Sequence, residues 1–511
     1  MDLNVTKIPS ESFTFVQRDQ RLHDVKFETK PIGYFQDAWI RFKRNKASVA
    51  ASVIIVLILI FALITPYLAV YKISDSDGVY ARMRPKIVAL EGTGFMDGTY
   101  VKKLNERFYQ YLVGIGIGYE DADGTGATWE EGMASAFNPI RTIGDSYMAQ
   151  GRQYWDCGVD SYNEVGFKYM NMTMAKYNEI RTWEQQSGIQ VFYPMVDVLS
   201  SATPDDANYW YKHAANGTPL TADGKRMTLD DVIANGFTDN YKRDADGNIQ
   251  YYIPKDRSMI QTRVFYYNYF QYINGYKPIH TLGTDPQGFD ILVRLAYGAR
   301  TSLALAALVS TLCLLIGALY GTIEGYYGGW IDLLLERIVD VLSSVPFIIV
   351  AALFQLYFVL PGKVSPFEGL LFAYLLTYWI GTAYRVRTQF YRFKNQEYVL
   401  AARTLGARDP RLMFKHILPN ALGTIITSGV MVIPGVILQE SILSYLGVVN
   451  LTGSSMTSIG TMLANGQGYL GTDPHIIFFP SIVIALLMIS FNLFGNGLRD
   501  AFNPSLRGAD E

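Results

Sequence analysis

The sequence predicts an all-α polytopic membrane protein of six spans that carries a large α+β domain between its first and second spans. Three observations predict this class. Only 18% of the 511 residues are charged and 50% are hydrophobic, which departs from a soluble composition. Residues 72–280 contain no apolar run of spanning length and are rich in Asp, Asn, Gly and Tyr. Elsewhere, apolar runs long enough to cross a bilayer lie near 48–70, 301–323, 341–360, 367–386, 420–447 and 476–497.

The segment 1–47 predicts a cytoplasmic tail that ends in an interfacial helix. Residues 1–32 are polar and lack the apolar core of a signal peptide. Three aromatic residues then recur at helical spacing among basic side chains: Phe35, Trp39 and Phe42. This pattern is typical of a helix at the cytoplasmic membrane surface, and a soluble amphipathic helix is the alternative. The basic cluster places the N-terminus inside, so residues 48–71 form the first span.

The insert, residues 72–280, predicts an α+β domain outside the cell. An N-terminus inside puts the segment after the first span on the other face of the membrane. Helical patterns and strand-like patterns alternate along the insert. The predicted helices are Val101–Leu112, Met174–Gln186 and Thr228–Asn235, the last with Thr228 as its cap, and the predicted strands are 189–196 and 249–253. Residues 244–248 predict a hairpin turn.

Residues 397–420 predict a polar helix pair between two apolar runs. A helix should run from Glu397 to Leu405 and end at Gly406, which accepts left-handed geometry. Asp409 stands where an N-cap would, so a second short helix should follow as far as Pro419. Basic residues surround this pair, which indicates a cytoplasmic position. Small residues on an exposed helix let another protein approach closely, so the pair predicts a docking element.

Several motifs resemble the dipeptide and oligopeptide branch of binding-protein-dependent ABC importers, and specifically its C-type permease subunit. The helix pair resembles the coupling loop through which such a permease engages its ATPase. The residues that match its signature, and that the resemblance assigns to ATPase coupling, are Glu397, Ala401, Ala402, Gly406, Leu418 and Pro419. The segments 281–303, 325–346, 440–447 and 491–503 also resemble this branch, and the resemblance covers about 33–71 and 281–507.

The resemblance implies the fold and the partners. It implies a type I ABC importer permease fold with six spans, both termini in the cytoplasm, a permease core over 281–511 and a cytoplasmic coupling loop over 387–419. The implied partners are a homologous second permease, two ABC ATPases, an extracytoplasmic peptide-binding protein and membrane lipid. No cofactor is expected on this chain, because ATP and Mg²⁺ belong to the ATPases. Peptides are the expected substrate. Nickel, an oligosaccharide or another solute, and a membrane receptor or structural protein, are the alternatives.

Four polar positions in or near the spans are candidates for the translocation path or for interhelical bonds. Glu440 lies in the fifth predicted span with Gln439 beside it and Ser444 one turn later. An ionisable group at that depth either faces a wet path or gate, or bonds another helix, and the sequence leaves both open. Asn492 more readily fits an interhelical bond.

The segment before the second span predicts an amphipathic helix over 288–298 on the outer surface, with Asp285, Asp290 and Arg294 as its polar residues. Phe289 departs from the family pattern, in which an Arg is usual. An ion pair made by that Arg in relatives is therefore in doubt here.

Other functions lack support in the sequence. The net charge of −2 gives no basic field for nucleic acid, and the five histidines show no metal-ligand spacing. Asp121-x-Asp123 with Glu130 and Glu131 misses the twelfth position of a calcium loop and indicates a solvated turn. The two cysteines, Cys157 and Cys313, lie in different kinds of segment and predict no disulfide. No catalytic residues are predicted. The insert has three candidate uses: docking the binding protein, touching substrate, or bracing the partner permease.

Overall fold

The computed structural model describes residues 33–197, 206–452 and 456–502. The prediction for the polar segment 1–32 lies outside them. The chain opens with two helices, α1 (Tyr34–Arg44) and α2 (Lys46–Leu68). Asn45 separates them, and its side chain accepts a hydrogen bond from the Ser48 N–H at 3.2 Å, which caps α2. Phe42 of α1 is buried against the last helix of the chain, whereas Phe35 and Trp39 on the same helix are more than half exposed.

The insert contains seven strands and five helices among the described residues. In chain order they are β1 (Thr99–Asn105), α3 (Glu106–Glu120), α4 (Trp129–Ala134), β2 (Ile140–Ala149), β3 (Arg152–Asp160), β4 (Phe167–Thr173), α5 (Met174–Ser187), β5 (Phe192–Tyr193), α6 (Leu229–Asn235), β6 (Tyr252–Pro254), β7 (Met259–Phe265) and α7 (Tyr266–Asn274). One antiparallel sheet has the order β1-β3-β2; in the other, β4 pairs with one edge of β7, and β5 and β6 also pair with β7. The α+β composition predicted for this segment is present.

Local predictions in the insert have mixed outcomes. Helices α5 and α6 lie where they were predicted, and Thr228 and Asp231 form the capping box of α6. The turn over 244–248 closes with Asp244 N–H donating to the Asn248 carbonyl at 2.9 Å. The helix predicted over Val101–Leu112 was wrong at its start, because strand β1 occupies 99–105 and Asn105 caps α3. The strand predicted over 189–196 shrinks to two residues.

The core of the insert is aromatic. Buried rings of Tyr, Trp and Phe pack between the sheets and helices, among them Trp210, Tyr211 and Phe265. Arg263 of β7 lies fully buried in this core. Its Nε donates to the Ala207 carbonyl at 2.7 Å, and its guanidinium carbon lies 3.8 Å from the Phe167 ring centroid.

Helices build the rest of the chain. They are α8 (Ile291–Tyr327), α9 (Gly329–Ser343), α10 (Phe347–Phe354), α11 (Pro366–Thr377), α12 (Ile380–Phe393), α13 (Glu397–Thr404), α14 (Asp409–Arg411), α15 (Leu418–Tyr445), α16 (Ile459–Gly466) and α17 (His475–Phe502). Two π-helical segments, Gln355–Val359 and Leu412–Ile417, follow α10 and α14. Short 3-10 turns occupy Gly78–Tyr80, Val88–Leu90, Asn163–Val165, Asp206–Asn208 and Gln467–Tyr469.

Four helices of the described part are long and apolar enough to cross a membrane: Lys46–Leu68, Ile291–Tyr327, Asp409–Tyr445 and His475–Phe502. A fifth results if Gly329–Ser343 and Phe347–Val359, which are bent by 71°, count as one broken span. The spans predicted near 48–70, 301–323, 420–447 and 476–497 correspond to the four helices. The amphipathic helix predicted over 288–298 was wrong as a separate element, because its residues from Ile291 onward begin α8.

Two predicted spans are not single helices. In the region 341–360, Pro346 precedes α10 and prevents α9 from continuing, because proline clashes with the preceding turn. In the region 367–386, the chain breaks between α11 and α12. The break lies against α8, where a Cβ added to Gly317 would stand 2.8 Å from the Trp379 carbonyl oxygen. Glycine there lets the two backbones approach closely, as small residues do between membrane helices.

Two antiparallel chain segments, 76–86 and 280–289, connect the insert to the helices, and we call them the neck. Backbone bonds join them at several points, including Asp77 N–H to the Gly288 carbonyl at 3.2 Å and Lys86 N–H to the His280 carbonyl at 2.9 Å. The two ends of the insert therefore meet. Arg84 of the neck also donates to the Thr472 carbonyl at 2.7 Å, just before α17. The neck thus rests on the ends of α8 and α17.

Candidate functional site

The predicted helix pair, residues 397–419, forms a compact element that we call the handle. Helix α13 ends in a turn at Gly406, whose φ of +84° is the left-handed value expected of glycine. Ala407 N–H then donates to the Ala402 carbonyl at 3.1 Å. Asp409 was predicted as an N-cap, and this was wrong: Arg408 is the capping position, without a side-chain bond, and Asp409 is the first helical residue.

The second helix of the handle does not stop at Pro419 as predicted. It continues through the π-helical segment into α15 without a break. Within that segment, Leu418 N–H donates to the carbonyl of Met413, five residues earlier. This shift in the bonding pattern accommodates Pro419, which has no N–H of its own. The handle is therefore a direct extension of a membrane-crossing helix.

One side of the handle is fixed to the helices beside it. Four of its apolar residues are buried against α8 and α12 in a common cluster: Val399, Leu412, Met413 and Ile417. The hydroxyl of Tyr326, near the end of α8, donates to Asp409 at 2.6 Å. Burial of four apolar side chains stabilises this attachment by several kcal/mol, at about 1.5–3 kcal/mol each.

The other side of the handle faces outward. The predicted coupling residues Glu397, Ala401, Gly406 and Pro419 are exposed, whereas Ala402 and Leu418 are half-buried. The tip is Leu405, which is 88% exposed, and three further large side chains are exposed nearby: Tyr398, Leu400 and Phe414. An apolar surface of this kind is typical of a contact with another protein.

An arginine hub, which the sequence did not reveal, braces the helices next to the handle. Arg387 of α12 contacts carboxylates from two other helices: Asp332 at 2.7 Å and Glu336 at 2.9 Å in α9, and Glu324 at 3.6 Å in α8. Arg387 uses two of its guanidinium nitrogens to contact Asp332 and two to contact Glu336. Such bidentate contacts are strong and directional. The acidic residues lie more than fifty positions before Arg387, so no local motif marks the hub.

Glu440 is fully buried where α8, α15 and the segment before α16 meet. Its carboxylate accepts hydrogen bonds from the hydroxyls of Ser458 at 2.6 Å, Ser444 at 3.0 Å and Ser302 at 3.2 Å. Gly460 of α16 packs closely on this site, since a Cβ added to it would stand 2.5 Å from the Ser441 Cα and 2.9 Å from the Glu440 Oε1. These contacts correspond to the interhelical bond, one of the two alternatives that the sequence left open. Gln439 is half-buried and makes none of the bonds in this cluster.

The face of α15 opposite Glu440 is exposed at six positions between the handle and the far end of the helix. Its exposed residues recur at intervals of seven, four, three, four and three positions, which places them on one side of a helix: Thr424, Met431, Gly435, Leu438, Ile442 and Tyr445. We call this face the α15 stripe. It runs from the handle to the opposite end of the helix, so α15 is buried on one side and open on the other.

The interhelical bond predicted for Asn492 was wrong: its amide donates within α17, to the Met488 carbonyl at 2.7 Å.

The predicted outer residues lie at the start of α8. Asp290 caps the helix by accepting from Val293 N–H at 2.8 Å, and it contacts His280 of the neck at 2.9 Å. Asp285 pairs with Arg294 at 2.6 Å, and both are buried. Phe289 stands at the position where the family resemblance led us to expect an Arg. The centroid of its ring lies 4.3 Å from the guanidinium carbon of Arg294. These residues therefore anchor the neck to α8 through one ion pair, one helix cap and one stacked arginine.

No group of three or more potential metal ligands occurs among the described residues. The turn predicted to be solvated is so only in part: Asp121 is buried and accepts a bond from the Gly126 N–H, whereas Asp123 is exposed and accepts one from the Thr125 N–H.

Known families match both parts of the helical region. Residues 313–508 match the family described as binding-protein-dependent transport system inner membrane component, and residues 33–85 match the N-terminal TM domain of oligopeptide transport permease C. The oligopeptide transport system permease protein OppC of Bacillus subtilis is 42% identical over 228 residues, covering 45% of this chain and 72% of that protein. The dipeptide transport system permease protein DppC of the same organism is 40% identical over 230 residues, covering 45% of this chain and 69% of that protein.

Among solved structures, the inward-facing MetNI methionine ABC transporter matches with a TM-score of 0.34 and 15% identity, over 41% of this chain and 96% of that one. The family assignment rests on the matches to the family models and to the OppC and DppC sequences. This chain belongs to the family of inner membrane components of binding-protein-dependent transport systems, on the branch of the OppC and DppC permeases, and is a multi-pass membrane protein.

Proposed function

We propose that this chain is one permease subunit of an ATP-driven importer of peptides. It pairs with a homologous second permease, two cytoplasmic ATPases and an extracytoplasmic peptide-binding protein. The names of its relatives, which specify oligopeptide and dipeptide transport, support peptides as the substrate. ATP and Mg²⁺ are handled by the ATPases, and this chain is not itself catalytic.

The handle is the observation that carries the proposal. Its inner side is buried against α8 and α12, while Leu405 at its tip is 88% exposed. An exposed apolar tip on a firmly held helix pair suits insertion into a cleft of a partner. The basic residues around the handle support a cytoplasmic position for that partner, where an ATPase would be.

The handle's continuity with α15 supports a mechanism of alternating access. Closure of the ATPases would move the handle, and the uninterrupted helix over Asp409–Tyr445 would carry that movement along the membrane. The α15 stripe would face the second permease across the translocation path. Glu440, on the buried side of the same helix, would fix α15 to α8 and α16 rather than line the path.

The ATPase contact is tested with Leu405→Asp in the tagged full chain, expressed with its partner subunits. The substitution removes no contact inside this chain, so insertion in the membrane should be unchanged. Recovery of ATPase with the permease should fall by at least tenfold, because a charge would enter a desolvated contact. Leu470→Asp is the matched control, since Leu470 is also exposed but lies between α16 and α17, away from the handle.

Equal ATPase recovery with both variants would reject the handle as the docking element. A wild-type chain that retains no ATPase at all would favour a membrane receptor or a structural protein.

The proposed orientation has the termini and the handle in the cytoplasm, six crossings in all, and the insert outside. Cysteine in place of Asp223, in the insert, should react with an impermeant thiol reagent on intact cells, or on spheroplasts where an outer membrane exists. Cysteine in place of Arg408 should react only after the membrane is opened. The native Cys157 and Cys313 are buried, so their background should be low. The reverse labelling would invert the orientation.

A further inference from the structure

A cavity of about 390 Å³ opens between α12, α15 and α17, at the end of the α15 stripe nearest the handle. Each of these helices contributes polar side chains to it. These polar lining residues include Arg385, Arg392, Thr427, Ser428, Asn496 and Arg499. We call it the arginine cavity. It contains two residues of the stripe, Thr424 and Met431, and is therefore continuous with the surface proposed to line the path.

The arginine cavity carries positive charge without a matching negative charge. No Asp or Glu is among its described lining residues, and no described carboxylate forms an ion pair with Arg385 or Arg392. These two arginines are seven positions apart and share one face of α12. Arg499 has a distant contact with Asp500 at 3.8 Å, and both side chains are more than half exposed.

Arg387 shows that this lack of partners is specific to the cavity face. It lies two positions after Arg385 on the same helix, yet three carboxylates surround it. Basic residues are enriched at the cytoplasmic ends of spans whether or not they form ion pairs. This enrichment therefore does not explain why Arg387, which is paired, lies outside the cavity while the unpaired Arg385 and Arg392 line it.

The other polar groups make the cavity a donor site. The hydroxyls of Thr427 and Ser428 donate to carbonyls of their own helix, so their protons are engaged. The donors left for a bound molecule are the guanidinium groups and the Asn496 amide. Planar guanidinium groups bind carboxylates with two parallel hydrogen bonds.

We propose that the arginine cavity binds a carboxylate of the transported peptide as the peptide leaves the path toward the cytoplasm. This inference rests on the proposed function, and it adds that the permease itself distinguishes substrates by charge. A phosphate of an anionic lipid shares the same chemistry and is the competing source of the bound group.

The test compares two peptides of equal length that differ by one Glu-to-Gln exchange, in vesicles containing the whole transporter. The uptake ratio of the acidic to the neutral peptide is measured for the wild type and for Arg385→Gln combined with Arg392→Gln. The binding protein is the same in both cases, so its own preference cancels when the two ratios are compared. Arg337→Gln combined with Lys363→Gln is the control, because it also removes two positive charges, from exposed positions that do not line the cavity.

The double Gln variant should lower the acidic-to-neutral ratio at least tenfold, the size expected for losing a charge-assisted hydrogen bond. The control should leave the ratio at the wild-type value. Arg385→Lys combined with Arg392→Lys should retain most of the preference, and raising the salt concentration should reduce it in the wild type. If the Gln variant does not assemble, a wild-type ratio that is independent of salt would overturn the proposal.

Two other results would overturn it. One is an unchanged ratio in an assembled Gln variant. The other is a ratio that depends on the anionic lipid content of the vesicles and not on the peptide's charge, which would assign the cavity to a lipid headgroup. An absence of peptide uptake by the wild type and the control would instead reject the proposed function.

Discussion

Arg263 in the insert and Glu440 in the helical core are both fully buried charged side chains without an opposite charge beside them, and their neighbours differ. Arg263 in the insert contacts backbone carbonyls and the Phe167 ring. Glu440 in the core is held by three serine hydroxyls from separate parts of the chain. The insert therefore satisfies its charge within a sheet and its adjoining loops, whereas the core uses its charge to join elements that are far apart in sequence.

The two regions also differ in what covers them. In the insert, aromatic side chains form closed clusters, and few large apolar residues reach the surface. In the core, long rows of Leu, Ile, Val and Phe are exposed along α2, α8, α9 and α17. Such surface requires lipid or partner subunits. This difference predicts that the insert folds independently and that the core needs lipid or other subunits to cover its apolar surface.

The largest effect should come from separating the two regions. Replacing residues 86–279 with a short Gly/Ser linker should leave a folded core, because the neck ends are already joined, with Met83 N–H donating to the Thr284 hydroxyl at 2.8 Å. The removed segment, produced alone, should unfold cooperatively. Both are measured by circular dichroism and by recovery of the assembled complex.

The same replacement also distinguishes the three uses of the insert. Loss of stimulation of ATP hydrolysis by loaded binding protein, with the complex intact, would support docking of that protein. Loss of the complex would support bracing of the partner permease and would contradict the independence of the two regions.

Arg263→Met should destabilise the isolated insert by about 2–4 kcal/mol, because it leaves buried carbonyls without a donor. The free energy of unfolding in urea measures the effect. Arg257→Met is the matched control, since Arg257 is exposed, and it should change stability by less than about 0.5 kcal/mol. A similar result for both variants would mean that the buried arginine is not part of the insert's stabilising core.

Glu440→Ala should lower the midpoint of thermal unfolding of the detergent-solubilised complex, because three serine hydroxyls lose their acceptor. We expect a cost of about 1–3 kcal/mol. Glu440→Gln keeps one carbonyl acceptor and should therefore lose less stability than Glu440→Ala. Uptake assays should show a reduced amount of active transporter with an unchanged KM. A changed KM in Glu440→Gln, at unchanged thermal stability, would instead assign Glu440 to the path.

The smallest effect concerns pH and the insert. Burial raises the pKa of Asp121 above its ordinary value of 3.8, although the Tyr241 hydroxyl and the Gly126 N–H donate to it. A raised folded-state pKa means that the folded insert binds the proton more tightly, so this group's stabilising contribution is lost as pH rises through that pKa. The unfolding free energy of the wild type should therefore fall relative to Asp121→Asn as pH increases from 3. A pH-independent difference would contradict this.

Sequence patterns predicted the elements whose cause is local. Four spans followed from the length of their apolar runs, and the turn of the handle followed from Gly406. The break at Trp379 did not follow from the local pattern, and its close neighbour Gly317 lies in another helix. The partners of Glu440 and Arg387 were hidden for the same reason: Ser302 precedes Glu440 by 138 positions. The positions of side chains that bond across the fold require the fold itself.

Helix α8 is 37 residues long, which makes it about 55 Å from end to end. One end bonds the handle through Tyr326, and the other end bonds the neck through Asp290 and Arg294. A single continuous helix therefore links the exposed surface of the handle with the base of the insert, independently of the α15 stripe. A displacement of the handle is consequently expected to tilt the insert through α8.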